Sequence, residues 1–363
     1  MIVTLSKWGS VLLYFIIFSL SSNTARRIKS NNKWLRVLLI AFFPVIFGGI
    51  RYYVGADYSG YLAQFNEVIY SHQSIASYLK TYSFINDHIG MFLVQKFSAI
   101  FNSSFVYFTI TSALQYIPVV IYLCKDWDDS NSNSKLLSYS LFTFLFSFYP
   151  FGFAAIRQGI AMAFCLLSLS YVYERKPIKF AICVLVATIF HSTALVFVPI
   201  YFLCSKSGTI TSWKKVLVIS IAFLAIFEID FIIASVGGRY LGYLDSEVEG
   251  RNLIFWMYLF WCIIFLVFRK KLVALNPKND LLIIMFTIGT IFQILGFTNA
   301  FSKRIGEYFL VSQCILIPQL TCVFTKDSQK LAWFLLVIYQ VAIFIFQYAI
   351  LGQSQILPYS FII

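Results

Sequence analysis

The chain runs to 363 residues, of which 60% are hydrophobic and only 12% charged. A soluble fold of this length cannot hide so much apolar surface, so lipid is the solvent, and the long apolar runs call for helices rather than the alternating strands of a barrel. The net charge of +13 would suit a nucleic acid, but the basic residues sit mostly in short loops between apolar segments, where they set topology; no nucleic-acid partner is expected.

The first apolar run, about 8–22, could pass for a signal peptide. Cleavage there would leave the next loop, NTARRIKSNNKWLR, outside with five basic residues. That opposes the positive-inside bias, so a first span is expected instead. Further spans are expected near 34–50, 104–123, 136–150, 155–173, 213–234, 252–268, 280–298, 306–324 and 331–351. Residues 88–101 are amphipathic and carry Lys96, which predicts an interfacial or re-entrant helix. Residues 178–204 are too long for one straight span and are interrupted by His191. They predict a hairpin of two short helices, and such irregular backbone must be buried in protein or line a wet cavity. The fold class is therefore all-α: a polytopic integral membrane protein of about 10–12 transmembrane segments, forming one domain over 1–363.

With that hairpin, 19 of the 28 Lys and Arg fall in inner loops at 23–36, 124–135, 174–179, 205–215, 269–278 and 325–330, and both termini lie outside. A single span over 178–204 would invert everything after it, which the basic cluster RKKLVALNPK opposes. The seven cysteines sit in or at the ends of apolar segments with no CxxC pair. They are expected to be small apolar side chains, not disulfides or metal ligands.

Ionisable groups gather at the outer boundary. Arg51 and Asp57 follow the second span, Arg157 opens the span AAIRQGIAMAF, and His191 breaks IFHSTALVF. Glu228 and Asp230 end LAIFEIDFII, and Lys303, Arg304 and Glu307 lie in FSKRIGEYF. Cations near helix ends commonly snorkel to the headgroups. Arg157 is less easily dismissed, because it occupies the first turn of its helix, where the macrodipole disfavours a cation. A bound anion would offset that, and a helix N-terminus beside an Arg makes a phosphate site, to which Gln158 can add a hydrogen bond. His191 is either a structural histidine bonded to a carbonyl or a site group that exchanges a proton near neutrality. Asp57 is either a turn residue aided by Gly55 or a general base. Tyr52, Tyr53, Tyr58 and Tyr61 are either an interfacial aromatic belt or flat faces for sugar rings. Together these groups suggest an anionic, sugar-bearing ligand, and pyrophosphate on a lipid fits best.

The same residues carry a resemblance. RYYVGADYSGY resembles the signature after the second span of the EpsG family of bacterial polysaccharide polymerases, which are Wzy-like. AIRQGIA resembles the family's second motif and FHSTAL its third. RIGEYF, with Arg304 and Tyr308, resembles a late Arg-x-x-x-Tyr-Phe element, and LPYSF a closing Pro-Tyr. The resemblance implies polymerisation of oligosaccharide repeat units carried on undecaprenyl pyrophosphate, at the periplasmic face of the bacterial inner membrane. The growing glycan passes to the non-reducing-end sugar of an incoming unit, and lipid pyrophosphate is released. No cofactor or metal is implied. The implied partners are the lipid-linked oligosaccharide, membrane lipid and a chain-length regulator. On this reading Arg157, Arg51 and Arg304 hold the pyrophosphate, with Gln158 beside them. His191 or Asp57 accepts the proton of the attacking hydroxyl, and Tyr52, Tyr58, Tyr61 and Tyr308 contact the saccharide. A flippase and a ligase-like glycosyltransferase are the alternatives. A flippase should bury charges along a passage, whereas 104–123, 136–150, 252–268 and 331–351 contain none.

Overall fold

The computed structural model describes residues 2–28, 30, 32–71, 74–77, 89–128, 134–203, 205, 207–222, 224, 253–295 and 300–362. Glu228, Asp230 and Cys204 lie outside the described residues, as does the second half of the span expected near 213–234. Strand β1 (Ile2–Thr4) precedes α1 (Lys7–Arg27), α2 (Lys33–Ile50), α3 (Tyr58–Tyr70), α4 (Ile89–Ala99), α5 (Ser104–Asp128) and α6 (Ser134–Ser147). A single turn, α7 (Phe151–Ala154), leads into α8 (Ile156–Tyr173) and α9 (Pro177–Phe190). After a 3-10 turn (Ser192–Phe197) come α10 (Ile200–Leu203), α11 (Leu253–Val267), α12 (Arg269–Leu275), α13 (Asn279–Leu295), α14 (Ala300–Leu310), α15 (Gln313–Thr321), α16 (Lys326–Phe344) and β2 (Ser360–Ile362).

Among the described residues five helices are long and apolar enough to cross a membrane, namely α1, α2, α5, α8 and α16 with its continuation to Ile350, and shorter apolar helices accompany them. The polytopic, helical class expected from the sequence holds, and so do the amphipathic helix (α4) and the hairpin broken at His191. Three elements differ from expectation. The segment after α2 is a loop only to Asp57 and then becomes α3, so Tyr58 and Tyr61 sit on a helix. The span expected at 306–324 is two helices, α14 and α15, parted at Val311–Ser312. The chain ends pair as a small antiparallel sheet, Ile2 opposite Ile362 and Thr4 opposite Ser360. These strands are too short for a periodicity to announce them.

The described chain forms two compact units: 1–170 with 182–194 and 330–363, and 171–181 with 195–329. In the first unit α2 packs most tightly on α5, because Gly48 and Gly49 let the backbones approach. A Cβ on Gly48 would lie 2.1 Å from Ser112 Oγ, and one on Gly49 2.0 Å from Thr109 Oγ1. Helix α2 also carries Pro44 in its interior, which leaves the Ile40 carbonyl without its usual helical donor. The Ser21 hydroxyl supplies one at 2.7 Å, and Tyr149 donates to the Pro44 carbonyl at 2.6 Å. In a lipid-facing fold such freed carbonyls must find partners within the protein.

The second unit is tied together at its basic loops. Asp280 accepts from Arg269 Nε at 3.0 Å, from Lys215 Nζ at 2.8 Å and from the Ile210 N–H at 2.9 Å. Arg175 donates to the Tyr201 carbonyl at 3.1 Å, and Lys278 lies 5.1 Å over the Tyr173 ring. Loops 174–179, 205–215 and 269–278, separated by long apolar segments, therefore share one end of this unit.

Candidate functional site

The first unit gathers five segment ends: the start of α1, the end of α2, the start of α5, the α7–α8 junction and the C-terminal tail. Each junction has an identifiable cause.

At the end of α2 the last carbonyls lack intrahelical donors. Arg51 Nη1 donates to the Gly48 carbonyl at 2.8 Å and to Ser112 Oγ at 3.3 Å. The Tyr359 hydroxyl donates to the Phe47 carbonyl. A cation at a helix C-terminus is also favoured by the dipole. The Arg51 guanidinium lies between two aromatic faces, 4.8 Å from the Phe108 centroid and 4.4 Å from that of Phe153. Only 1% of Arg51 is exposed, and this burial pushes its pKa down from the ordinary value. Among the described residues, Nε and Nη2 find no hydrogen-bond partner. Arg51, expected at the ligand, is thus enclosed as the cap of α2. Sequence reading missed this because nothing in RYYVGAD says whether the arginine turns in or out.

The loop that follows is fastened to the tail. Tyr52 N–H donates to the Ser360 carbonyl at 2.8 Å, Gly55 N–H to Gln355 at 3.0 Å and Ala56 N–H to Ser354 at 3.0 Å. Gly55 has a φ of +105° and sits so close to Phe153 that a Cβ would lie 2.3 Å from the Phe153 carbonyl oxygen, so only glycine fits. The closing Pro-Tyr of the sequence has its role here. Tyr359 stacks on Phe47 with centroids 4.2 Å apart, and its N–H donates to Ser10 Oγ at 2.8 Å.

The α7–α8 junction presents Arg157. Ala155 leaves the helical region (φ −109°, ψ 62°), and Gln115 Nε2 bridges the break by donating to the Gly152 carbonyl at 2.9 Å and the Ile156 carbonyl at 3.3 Å. Gly152 and Gly159 make room for that side chain, since a Cβ on either would crowd Gln115. Gln115 escaped sequence reading, as a lone glutamine in an apolar span gives no signal of what it bridges. Arg157, in the first turn of α8, stays partly exposed. Its Nε donates to the Tyr61 hydroxyl at 3.1 Å, with the guanidinium carbon 5.8 Å from the ring centroid. Among the described residues no hydrogen bond engages its two Nη groups.

Tyr61 is 5% exposed and belongs to a core of Tyr58, Phe65, Met91, Tyr107, Phe108, Ile156, Ile160 and Phe190. Tyr58 stacks on Phe108 at 4.3 Å, and burial pushes its phenol up to about 12. Tyr52 is half-buried, Tyr53 exposed, and Asp57 exposed at the position before α3 with no side-chain cap bond. Gln158 is buried beside Arg157 in sequence. His191 follows Phe190 directly, is buried, and its Nδ1 lies 2.6 Å from Thr193 Oγ1. The structure thus brings Arg157, Tyr61, Tyr58 and the residue before His191 onto one core. In the second unit, Arg304 and Tyr308 lie on α14, Arg304 partly exposed and Tyr308 buried. On the same helix Glu307 Oε1 lies 3.4 Å from Gln293 Nε2.

These features define a multi-pass membrane protein with a half-open arginine at a helix start, set on an aromatic core. The EpsG family model matches residues 33–361. The chain belongs to the EpsG family, a family of Wzy-like polysaccharide polymerases, and its role is of polysaccharide polymerase type. No curated protein and no solved structure matches the chain.

Proposed function

We propose that this protein polymerises oligosaccharide repeat units carried on undecaprenyl pyrophosphate, as a glycosyltransferase at the periplasmic face of a bacterial inner membrane. The observation that carries the reading is Arg157. It is a cation in the first turn of α8, where the helix dipole is already positive, and Tyr61 orients it through Nε. That contact leaves the Nη groups for an anion. An arginine held at one nitrogen and open at two others suits a bidentate grip on phosphate.

In the reaction, a hydroxyl of the acceptor's terminal sugar attacks the anomeric carbon of the donor glycan. The bond from that carbon to the pyrophosphate oxygen breaks, and undecaprenyl pyrophosphate leaves with the electron pair. Arg157 stabilises the charge developing on the leaving oxygen. His191 is the proposed proton acceptor, its ring oriented through Nδ1 by Thr193. Asp57 is the alternative, less suited because it is exposed to solvent. Gln158 is proposed to assist at the pyrophosphate, and Tyr52 and Tyr58 to border the glycan. A chain-length regulator is the protein partner this reading calls for.

The test is Arg157→Ala, expressed in a host lacking its own copy, with the surface polysaccharide resolved by size on a gel. The expected result is normal protein level in the membrane with polymer reduced to single repeat units. Long polymer from the variant would overturn Arg157 as the grip on the pyrophosphate, and polymer of any length missing in the wild-type complemented host would overturn the polymerase reading. Loss of even the single unit from the cell surface would favour a flippase instead.

A further inference from the structure

Tyr53 adopts a left-handed backbone conformation, with φ of +52°, which a bulky aromatic residue rarely accepts. Such strain persists only where the surroundings over-determine it, and here they do. The neighbouring N–H groups of Tyr52, Gly55 and Ala56 are all bonded to tail carbonyls at 2.8–3.0 Å. Two of those acceptors, Ser354 and Gln355, are themselves left-handed, at φ +59° and +49°. The arrangement does not bury the ring. Tyr53 is 58% exposed, propped edge-on by Tyr52 at 4.7 Å and tilted against Tyr58 at 5.3 Å. The backbone is strained, flanked by three hydrogen bonds to the tail, and leaves the aromatic side chain exposed. A tyrosine of an interfacial belt needs none of this, because ordinary backbone presents a ring to the headgroups equally well.

We infer that Tyr53 is a stacking platform for a pyranose ring of the lipid-linked saccharide, an inference that rests on the polymerase reading. The apolar C–H face of a sugar lies against the ring, and the phenol hydroxyl meets its hydroxyls. Asp57, four residues on and also exposed, offers acceptors to further sugar hydroxyls. A pre-set ring loses little freedom on binding, which is what pre-organisation contributes to affinity. Because stacking reads a ring face and not a particular hydroxyl pattern, the platform acts on saccharide affinity and hence on polymer length.

The test uses Tyr53→Phe, Tyr53→Gly and Tyr53→Asn in the full-length protein, with Arg157→Ala alongside, reading membrane level and polymer size. Glycine and asparagine both tolerate the left-handed backbone, so they remove the ring without adding strain. Tyr53→Phe is expected to keep the wild-type size distribution. Tyr53→Gly and Tyr53→Asn, at normal protein level, are expected to lower elongation about 2- to 10-fold and shift the ladder to short chains. A wild-type ladder from the glycine and asparagine variants overturns the platform, and so does their disappearance from the membrane, which would make the ring a packing element. If Arg157→Ala collapses the ladder while Tyr53→Gly does not, only the platform falls. If Arg157→Ala leaves long polymer, Arg157 loses its place at the pyrophosphate, and the Tyr53 variants alone decide the platform.

Discussion

Arg51 and Arg157 lie in motifs that look equivalent in the sequence, and the fold treats them oppositely. Arg51 ends a helix, where its charge complements the dipole and its Nη1 caps a carbonyl. It is enclosed by Phe108 and Phe153. Arg157 begins a helix, where its charge opposes the dipole, and it remains partly exposed. The first is held within the protein by a helix-end carbonyl and two aromatic faces, whereas the second is improved by an anion. Position relative to a helix terminus therefore separates a cation that builds the site from one that serves it.

The contrast is broken most severely by Arg51→Ala. It removes a charged hydrogen bond to a helix-end carbonyl and two desolvated cation–π contacts, a loss of about 3 kcal/mol or more. The protein is expected to fall sharply in membrane level and in thermal midpoint in detergent, and Arg51→Lys is expected not to restore it, since an ammonium cannot sit flat between two rings. A normal melting curve for Arg51→Ala would mean the enclosed arginine is not structural. Next comes Arg157→Lys, expected to fold normally yet lose on the order of 100-fold in polymerisation, because charge is kept and the planar fork is not. Wild-type polymer from this variant would reduce Arg157 to a simple positive charge.

Tyr359→Phe is a smaller cut at the same α2 terminus. It keeps the stack on Phe47 and deletes the hydroxyl donated to the Phe47 carbonyl, so about 1 kcal/mol of stability should go, visible as a lowered melting temperature with polymer size unchanged. The finest test is Tyr61→Phe, which keeps the buried ring and removes the acceptor for Arg157 Nε. Elongation should drop about fivefold. Combined with Arg157→Lys, the two losses should not add, because each disrupts the same contact. Additive losses would show that Tyr61 acts independently of the arginine.

Much of this was legible from hydropathy and loop charge. The spans, the amphipathic α4 and the hairpin break at His191 follow from run length and from a polar residue inside an apolar run. The place of Arg157 in a first helical turn, where a basic residue violates a local preference, was legible as well. The direction in which Arg51 turns was not, since it depends on Phe108 and Phe153, residues that read as ordinary span aromatics. Nor was α3, because YSGYLAQF begins with tyrosines and a glycine that suit a loop. Gln115 gave no local signal, and its function lies in two carbonyls 37 and 41 residues away.

The fastening of the 51–56 loop to the tail has a consequence for biosynthesis. The Phe47 carbonyl and the Tyr359 hydroxyl that caps it are separated by 312 residues. A chain emerging from the ribosome inserts α2 early, yet the Phe47 carbonyl lacks its Tyr359 donor and the loop stays unfastened until the 354–360 segment has been made. The loop that carries Asp57 and Tyr53 is therefore assembled among the last parts of the first unit. A chain cut short before that segment would hold most of its spans and still lack a formed loop.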